Sequence, residues 1–267
     1  MFFVPGLGAV HLFDWDEINF AEIAREMIAS GNWLQPRIDH LPFHEKPPLF
    51  IWLQALSMSL FGVNEFAARF PNAVCGAVTL WTLFRIGRTL RGDRFGWLWA
   101  LAYFGSILPH LYFRSGIIDP WFNLFIFLGI HELIKAGDTP AGRPGGPSAR
   151  DRSALKAGMW LGLSVLTKGP VGILIPGLCA AAIAVQHRFR LFLPWKRILL
   201  AASTVVLVPL LWFGLDMLRN GPEFVVAFFW RQVAMLTTED AGHGGFFGYH
   251  LVVLLIGCFP ASVFAVV

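Results

Sequence analysis

Apolar residues run through this chain in long blocks separated by short charged connections. A helix needs about 20 apolar residues to cross a bilayer. Segments 66–84, 95–113, 118–134, 154–167, 169–186, 198–216 and 247–267 approach or meet that length, and a further apolar run covers 47–62. The pattern predicts an all-α polytopic membrane protein with about seven transmembrane helices. Between Asp16 and Ser30 the pattern changes to an amphipathic one. Ile18, Ala21, Ala24 and Ile28 recur at helical spacing, Glu22, Arg25 and Glu26 take the other face, Asp16 suits an N-cap and Gly31 a stop. That reads as a helix lying parallel to the membrane.

Charge fixes the orientation. Arg85, Arg88, Arg91 and Arg94 share one connection; Lys135, Arg143, Arg150, Arg152 and Lys156 flank a Gly/Pro-rich loop; Arg188, Arg190, Lys196 and Arg197 form a third cluster. The positive-inside rule places all three in the cytoplasm. The short run 47–62, with its tryptophan and polar residues, then fits a second in-plane helix, and 66–84 becomes the first full crossing after the acidic loop. Asp14, Asp16, Glu17, Asp39, Glu45, Asp119, Asp216 and Glu223 all fall outside. The expected organisation is a truncated first transmembrane helix at 1–13, a first extracytoplasmic loop with two juxtamembrane helices at 14–65, and a transmembrane core at 66–267. That core contains an outer loop at 217–246 and is cut at its C-terminus. Both ends read as those of a fragment.

Composition agrees, since 56% of residues are hydrophobic and 14% charged, far from the balance of a soluble domain. Net charge is only +4 and is sorted by membrane side, so nucleic acid is not a partner. Cys75, Cys179 and Cys258 sit singly in apolar runs and read as small core residues.

Chemistry-bearing residues collect on the outer side. Phe43-His44-Glu45-Lys46-Pro47-Pro48 sets an acid and a base at the lip of an apolar helix. Lys46 can bind a phosphate at the membrane surface, assisted by the helix N-terminus, although a snorkelling lysine beside an exposed acid also fits. Asp14-Trp15-Asp16-Glu17 can supply a general base or a metal ligand, or simply solvate a loop. Asp119, with Arg114 nearby, is a charge close to hydrocarbon, which calls for a partner or a task; capping the next helix is one such task. Arg231 follows the aromatic run Phe228-Phe229-Trp230, and His243 with Glu45 can form a divalent metal site. Lys168, in Thr167-Lys168-Gly169-Pro170, marks a tight outer turn within reach of a phosphate.

Several stretches together resemble the protein O-mannosyltransferase and aminoarabinose transferase superfamily. These are Asp16-Glu17 with Ala21-Glu22-Ile23-Ala24-Arg25-Glu26-Met27, Glu45-Lys46-Pro47-Pro48-Leu49, and Phe61-Gly62-Val63-Asn64-Glu65-Phe66-Ala67-Ala68-Arg69-Phe70-Pro71. Asp119, Thr167-Lys168-Gly169-Pro170 and the loop around His243 follow in the family's order. The resemblance implies a GT-C glycosyltransferase fold and a polyprenyl-phosphate sugar as donor. It implies Asp16 as the loop carboxylate acting as base with Glu17 beside it, and Asp119 as a second active-site acid. It implies Lys46 as the holder of the donor phosphate, and Glu45 and His243 as a pair that can bind a divalent metal. Arg114, Lys168 and Arg231 are the further cations available to the phosphate. The expected function is inverting transfer of a hexose or pentose to an extracytoplasmic acceptor, a lipid, glycan or protein, in the bacterial inner membrane with the active site facing out. The rival readings are a polyprenyl-lipid transporter or a non-catalytic remnant. Charges gathered on one face, with nearly uncharged span interiors, favour the enzyme.

Overall fold

A computed structural model describes residues 2–13, 15–137, 146–186, 193–234 and 248–263. The described chain is almost entirely helical. In order, the elements are α1 (Asp16–Ser30), β1 (Arg37–Ile38), β2 (Leu41–Pro42), α2 (Leu49–Phe61), α3 (Glu65–Arg91), α4 (Asp93–Phe104), α5 (Ile107–Phe113), α6 (Asp119–Ala136), α7 (Pro147–Lys168), α8 (Val171–Gln186), α9 (Trp195–Asn220), α10 (Glu223–Ala234) and α11 (Tyr249–Gly257).

Local chemistry accounts for the boundaries. α1 runs over the residues its periodicity predicts and ends at Gly31, whose left-handed φ of 67° a side chain would resist. Its N-cap is Trp15, with Asp16 as the first helical residue. Glu17 and Glu26 join the buried face with Phe20, Ile23 and Met27, while Glu22 and Arg25 pair outward at 2.6 Å. α3 is capped by the Asn64 side chain, which accepts from the Ala67 amide at 2.9 Å. The predicted single helix over 95–113 is broken. Pro109 has no amide to offer the Gly105 carbonyl, so the chain stops at Phe104 and restarts at Ile107. The hairpin β1–β2 pairs Arg37 with Pro42 and Ile38 with Leu41 across a two-residue turn. Asp39 and His40 both adopt positive φ there, as a type I′ turn requires.

Two compact units share these elements. The first comprises the described parts of Met1–Gly31, Ile51–Pro120 and Phe229–Val267. Its core includes Phe3, Leu7, Ile23, Met27, Ile51, Ala55 and Phe113, with the Phe3 and Phe113 ring centroids 5.0 Å apart. The second comprises Asn32–Phe50 and the described parts of Trp121–Phe228. There α7 and α9 touch backbone to backbone: a Cβ on Gly158 would lie within 2.3 Å of the Ala201 carbonyl oxygen. Large side chains at that crossing would hold the two helices apart.

Among the described residues α9 is the one helix both long and apolar enough to cross a membrane. Leu207, Leu210, Leu211, Leu215 and Leu218 lie exposed along it, an exterior suited to lipid. Most other predicted crossings are helical as well but fall short for identifiable reasons. α8 has only 16 residues, 95–113 is broken in two, and α3, α6 and α7 carry charges within or at the ends of the helix.

Candidate active site

In the first unit the site begins with Arg69, an ionisable residue inside the apolar run 66–84 and only 1% exposed. A guanidinium carries five N–H donors and no acceptor, so burying it demands five acceptors. All five are present. Nε and one Nη2 hydrogen donate to the two Glu17 carboxylate oxygens at 2.8 Å each. The other three go to the carbonyls of Leu7 at 2.9 Å and of Val10 and His11 at 2.8 Å. Glu17, 2% exposed, also accepts from the amides of Phe13 and Gly116. One buried ion pair thus joins the N-terminal segment, the start of α1, α3 and the connection before α6.

That connection is clamped from three elements. The Asn72 amide of α3 donates to the carbonyls of Ser115 and Ile117 at 2.6 and 2.7 Å. Gln54 of α2 packs where a Cβ on Gly116 would lie, 3.1 Å from its Nε2, and Glu17 closes the other side. The clamp delivers Asp119 as the first residue of α6, with Pro120 pre-set for the helix start. Asp16 stands exposed in the first turn of α1, one residue before the buried Glu17. Two carboxylates are therefore mounted on helix N-termini, where the macrodipole favours the anion, and a single network fixes both starts.

Glu17 departs from its expected role beside Asp16. Buried, with both oxygens bonded twice, it has no lone pair left for a substrate proton and acts as the anchor. Arg114 is exposed and donates one of its five N–H groups to the Pro5 carbonyl at 2.8 Å, tethering the N-terminal segment.

In the second unit the segment Asn32–Phe50 forms a strap that carries Glu45 and Lys46, both half-buried, just before the buried Pro47 and Pro48. Trp212 of α9 donates its indole N–H to the Leu34 carbonyl at 3.0 Å. Phe224 of α10 meets the His44 ring edge-on at 5.6 Å, the Trp212 ring at 4.8 Å and Phe228 in a stack at 5.6 Å. The α7–α8 turn completes the cluster. Gly169 sits so tightly on Phe228 that a Cβ would fall within 2.4 Å of the ring, and Lys168 lies 5.5 Å from the Phe122 ring. The strap bearing Lys46 and the turn bearing Lys168 thus dock on one aromatic cluster. Arg231, exposed on α10, belongs to the first unit.

His243, with Asp14 and residues 235–246 of the outer loop, lies outside the described residues. Among the described residues no three metal-ligating side chains converge. Arg69, Gln54 and Asn72 went unassigned by sequence reasoning. The signal for Arg69 was its charge inside an apolar run; the two amides gave none.

The chain is similar to known proteins in sequence and in fold. Residues 45–213 match the family described as dolichyl-phosphate-mannose-protein mannosyltransferase. An undecaprenyl phosphate-alpha-4-amino-4-deoxy-L-arabinose arabinosyl transferase of Shewanella sediminis is 27% identical over 97% of this chain and 46% of its own length. One of the enzymes of that name in Sodalis glossinidius is 30% identical over 93% of this chain and 44% of its own. The crystal structure of ArnT from Cupriavidus metallidurans bound to undecaprenyl phosphate superposes with a TM-score of 0.87 at 26% identity, over 98% of this chain and 48% of that one. The chain therefore spans about half the length of the relatives it matches. It has the GT-C membrane fold and belongs to the dolichyl-phosphate-mannose-protein mannosyltransferase family.

Proposed function

We propose that the protein is a membrane glycosyltransferase that moves a sugar from a polyprenyl-phosphate donor to an acceptor on the outer face of the membrane. Family membership and the likeness to a structure holding undecaprenyl phosphate support the donor class. The observation that carries the reading is the clamp around Glu17 and Arg69, which spends a fully satisfied buried ion pair on presenting Asp16 and Asp119 at two helix starts.

In the scheme, the acceptor hydroxyl attacks the anomeric carbon and the bond to the donor phosphate breaks with inversion. Asp16, exposed at the start of α1, takes the hydroxyl proton as the new bond forms. The departing polyprenyl phosphate is already anionic and needs charge stabilisation more than a proton. Lys46 supplies it, with Lys168 and Arg231 as further cations. Asp119 orients the sugar or acceptor hydroxyls. Glu45 remains a candidate metal ligand with His243.

Membranes carrying the protein, given labelled undecaprenyl-phosphate sugar, test the base. Asp16→Asn should lower transfer by about 100-fold or more while the protein accumulates normally, because the residue is exposed. Unchanged transfer would remove Asp16 from the scheme.

A further inference from the structure

The strap that carries Lys46 has little structure of its own. Its only sheet is a hairpin of two residues per strand, which is marginal in isolation. Its direction therefore depends on what it leans against, and α9 supplies the support. Trp212 ties down Leu34, as described above. One turn further along α9 stands Asp216, 1% exposed, with one carboxylate oxygen held by the Asn220 amide at 2.7 Å. Its other oxygen is buried and meets no hydrogen-bonding partner among the described residues. On the strap, Nε2 of His44 is likewise buried and without a partner. An unsatisfied buried carboxylate oxygen and an unsatisfied buried ring nitrogen are each costly alone. Here they share one neighbourhood without bonding to each other: Asp216 stands one turn along α9 from Trp212, and Phe224 packs on both Trp212 and His44.

We infer that His44 and Asp216 form a positioning pair that sets the strap on α9 and so aims Lys46, two residues beyond His44, at the donor phosphate. Neither residue touches the substrate. The strap's apolar contacts give it affinity for α9, and attraction between the two groups in a buried, low-dielectric space favours one register over the others. The inference rests on the donor-phosphate role proposed for Lys46.

The test is transfer from labelled undecaprenyl-phosphate aminoarabinose in membranes carrying the wild-type chain, Asp216→Asn, His44→Phe, His44→Gln or Lys46→Ala. Misplacing Lys46 should raise the KM for donor about tenfold in Asp216→Asn and His44→Phe, with the acceptor KM unchanged. His44→Gln, whose amide reaches toward the position of Nε2, should recover most of the loss. A loss of active protein would lower the apparent kcat alone. Should Asp216→Asn fail to accumulate, the contrast between His44→Phe and His44→Gln decides the matter. A donor KM unchanged by the His44 variants, while Lys46→Ala raises it, would overturn the pairing. If Lys46→Ala itself leaves the donor KM unchanged, the underlying donor-phosphate reading fails instead.

Discussion

Arg69 shows how a residue's function depends on partners far away in sequence. Its carboxylate lies 52 positions earlier, and the amide that shares that carboxylate is 99 positions from it. Breaking a buried pair by removing one partner typically costs about 3–5 kcal/mol, because the survivor stays charged and unpaired. Arg69→Ala should therefore lower the unfolding midpoint in detergent far more than Asp16→Asn does. Arg69→Lys should recover little, since an ammonium cannot reproduce the five-donor fork. A midpoint within a degree or two of wild type would show that Glu17 is not held as described. The sequence made Asp16 and Glu17 legible as an acidic helix start but not as different in kind. Two adjacent carboxylates look alike until the fold shows that one faces out and the other faces Arg69. Asp119 was legible as a helix start, because a lone acid before Pro120 at the edge of an apolar run suits the first turn of the next helix. The three-sided clamp that holds it was not, because a side-chain amide in an apolar run leaves no periodic trace.

Helices were the most legible elements, since apolar runs and cap residues such as Asn64 and Gly31 mark their limits. The break at Gly105–Ser106 and the hairpin were less so. Hydropathy is blind to a single missing amide, and strands of two residues are too short for an alternating pattern. Helix contacts carry two expectations of their own. Gly158→Val would force a branched side chain against the Ala201 carbonyl and push α7 from α9, which should destabilise the protein by about 1–3 kcal/mol in thermal unfolding. An unaltered midpoint would mean that the two helices do not approach so closely. The same pair of helices is joined at another level by Asp151, which binds Lys196 and, at 3.2 Å, Arg197. The Lys196 hydrogen bond and then Arg197 hold the Asp151 carboxyl below its usual range. Stability from a carboxyl depressed on folding is present above its unfolded pKa, about 3.9, and is lost as pH falls through the folded value. Asp151→Asn should therefore lower the melting temperature at pH 7, and the gap to wild type should close below about pH 4. It should also shrink with salt, because Lys196 is largely exposed. A gap independent of pH would assign the loss to packing.

For the whole molecule, the sequence alone conveyed the class: an apolar chain with basic residues clustered in its connections and motifs in a family's order. What it lacked was the separation of duties within each unit. In the first, a buried ion pair presents two carboxylates; in the second, an aromatic cluster seats a strap bearing Lys46 and a turn bearing Lys168. A chain that spans about half of its relatives can have its donor chemistry tested without any acceptor. The most direct measurement is equilibrium binding of undecaprenyl phosphate to the purified chain in detergent, with undecaprenol as the uncharged control. Wild type should prefer the phosphate, and Lys46→Ala should weaken that binding by about tenfold or more, as expected for a lost hydrogen bond to a charged group, while leaving undecaprenol unaffected. Equal affinity of wild type and Lys46→Ala for undecaprenyl phosphate, or equal affinity of wild type for phosphate and alcohol, would contradict the account.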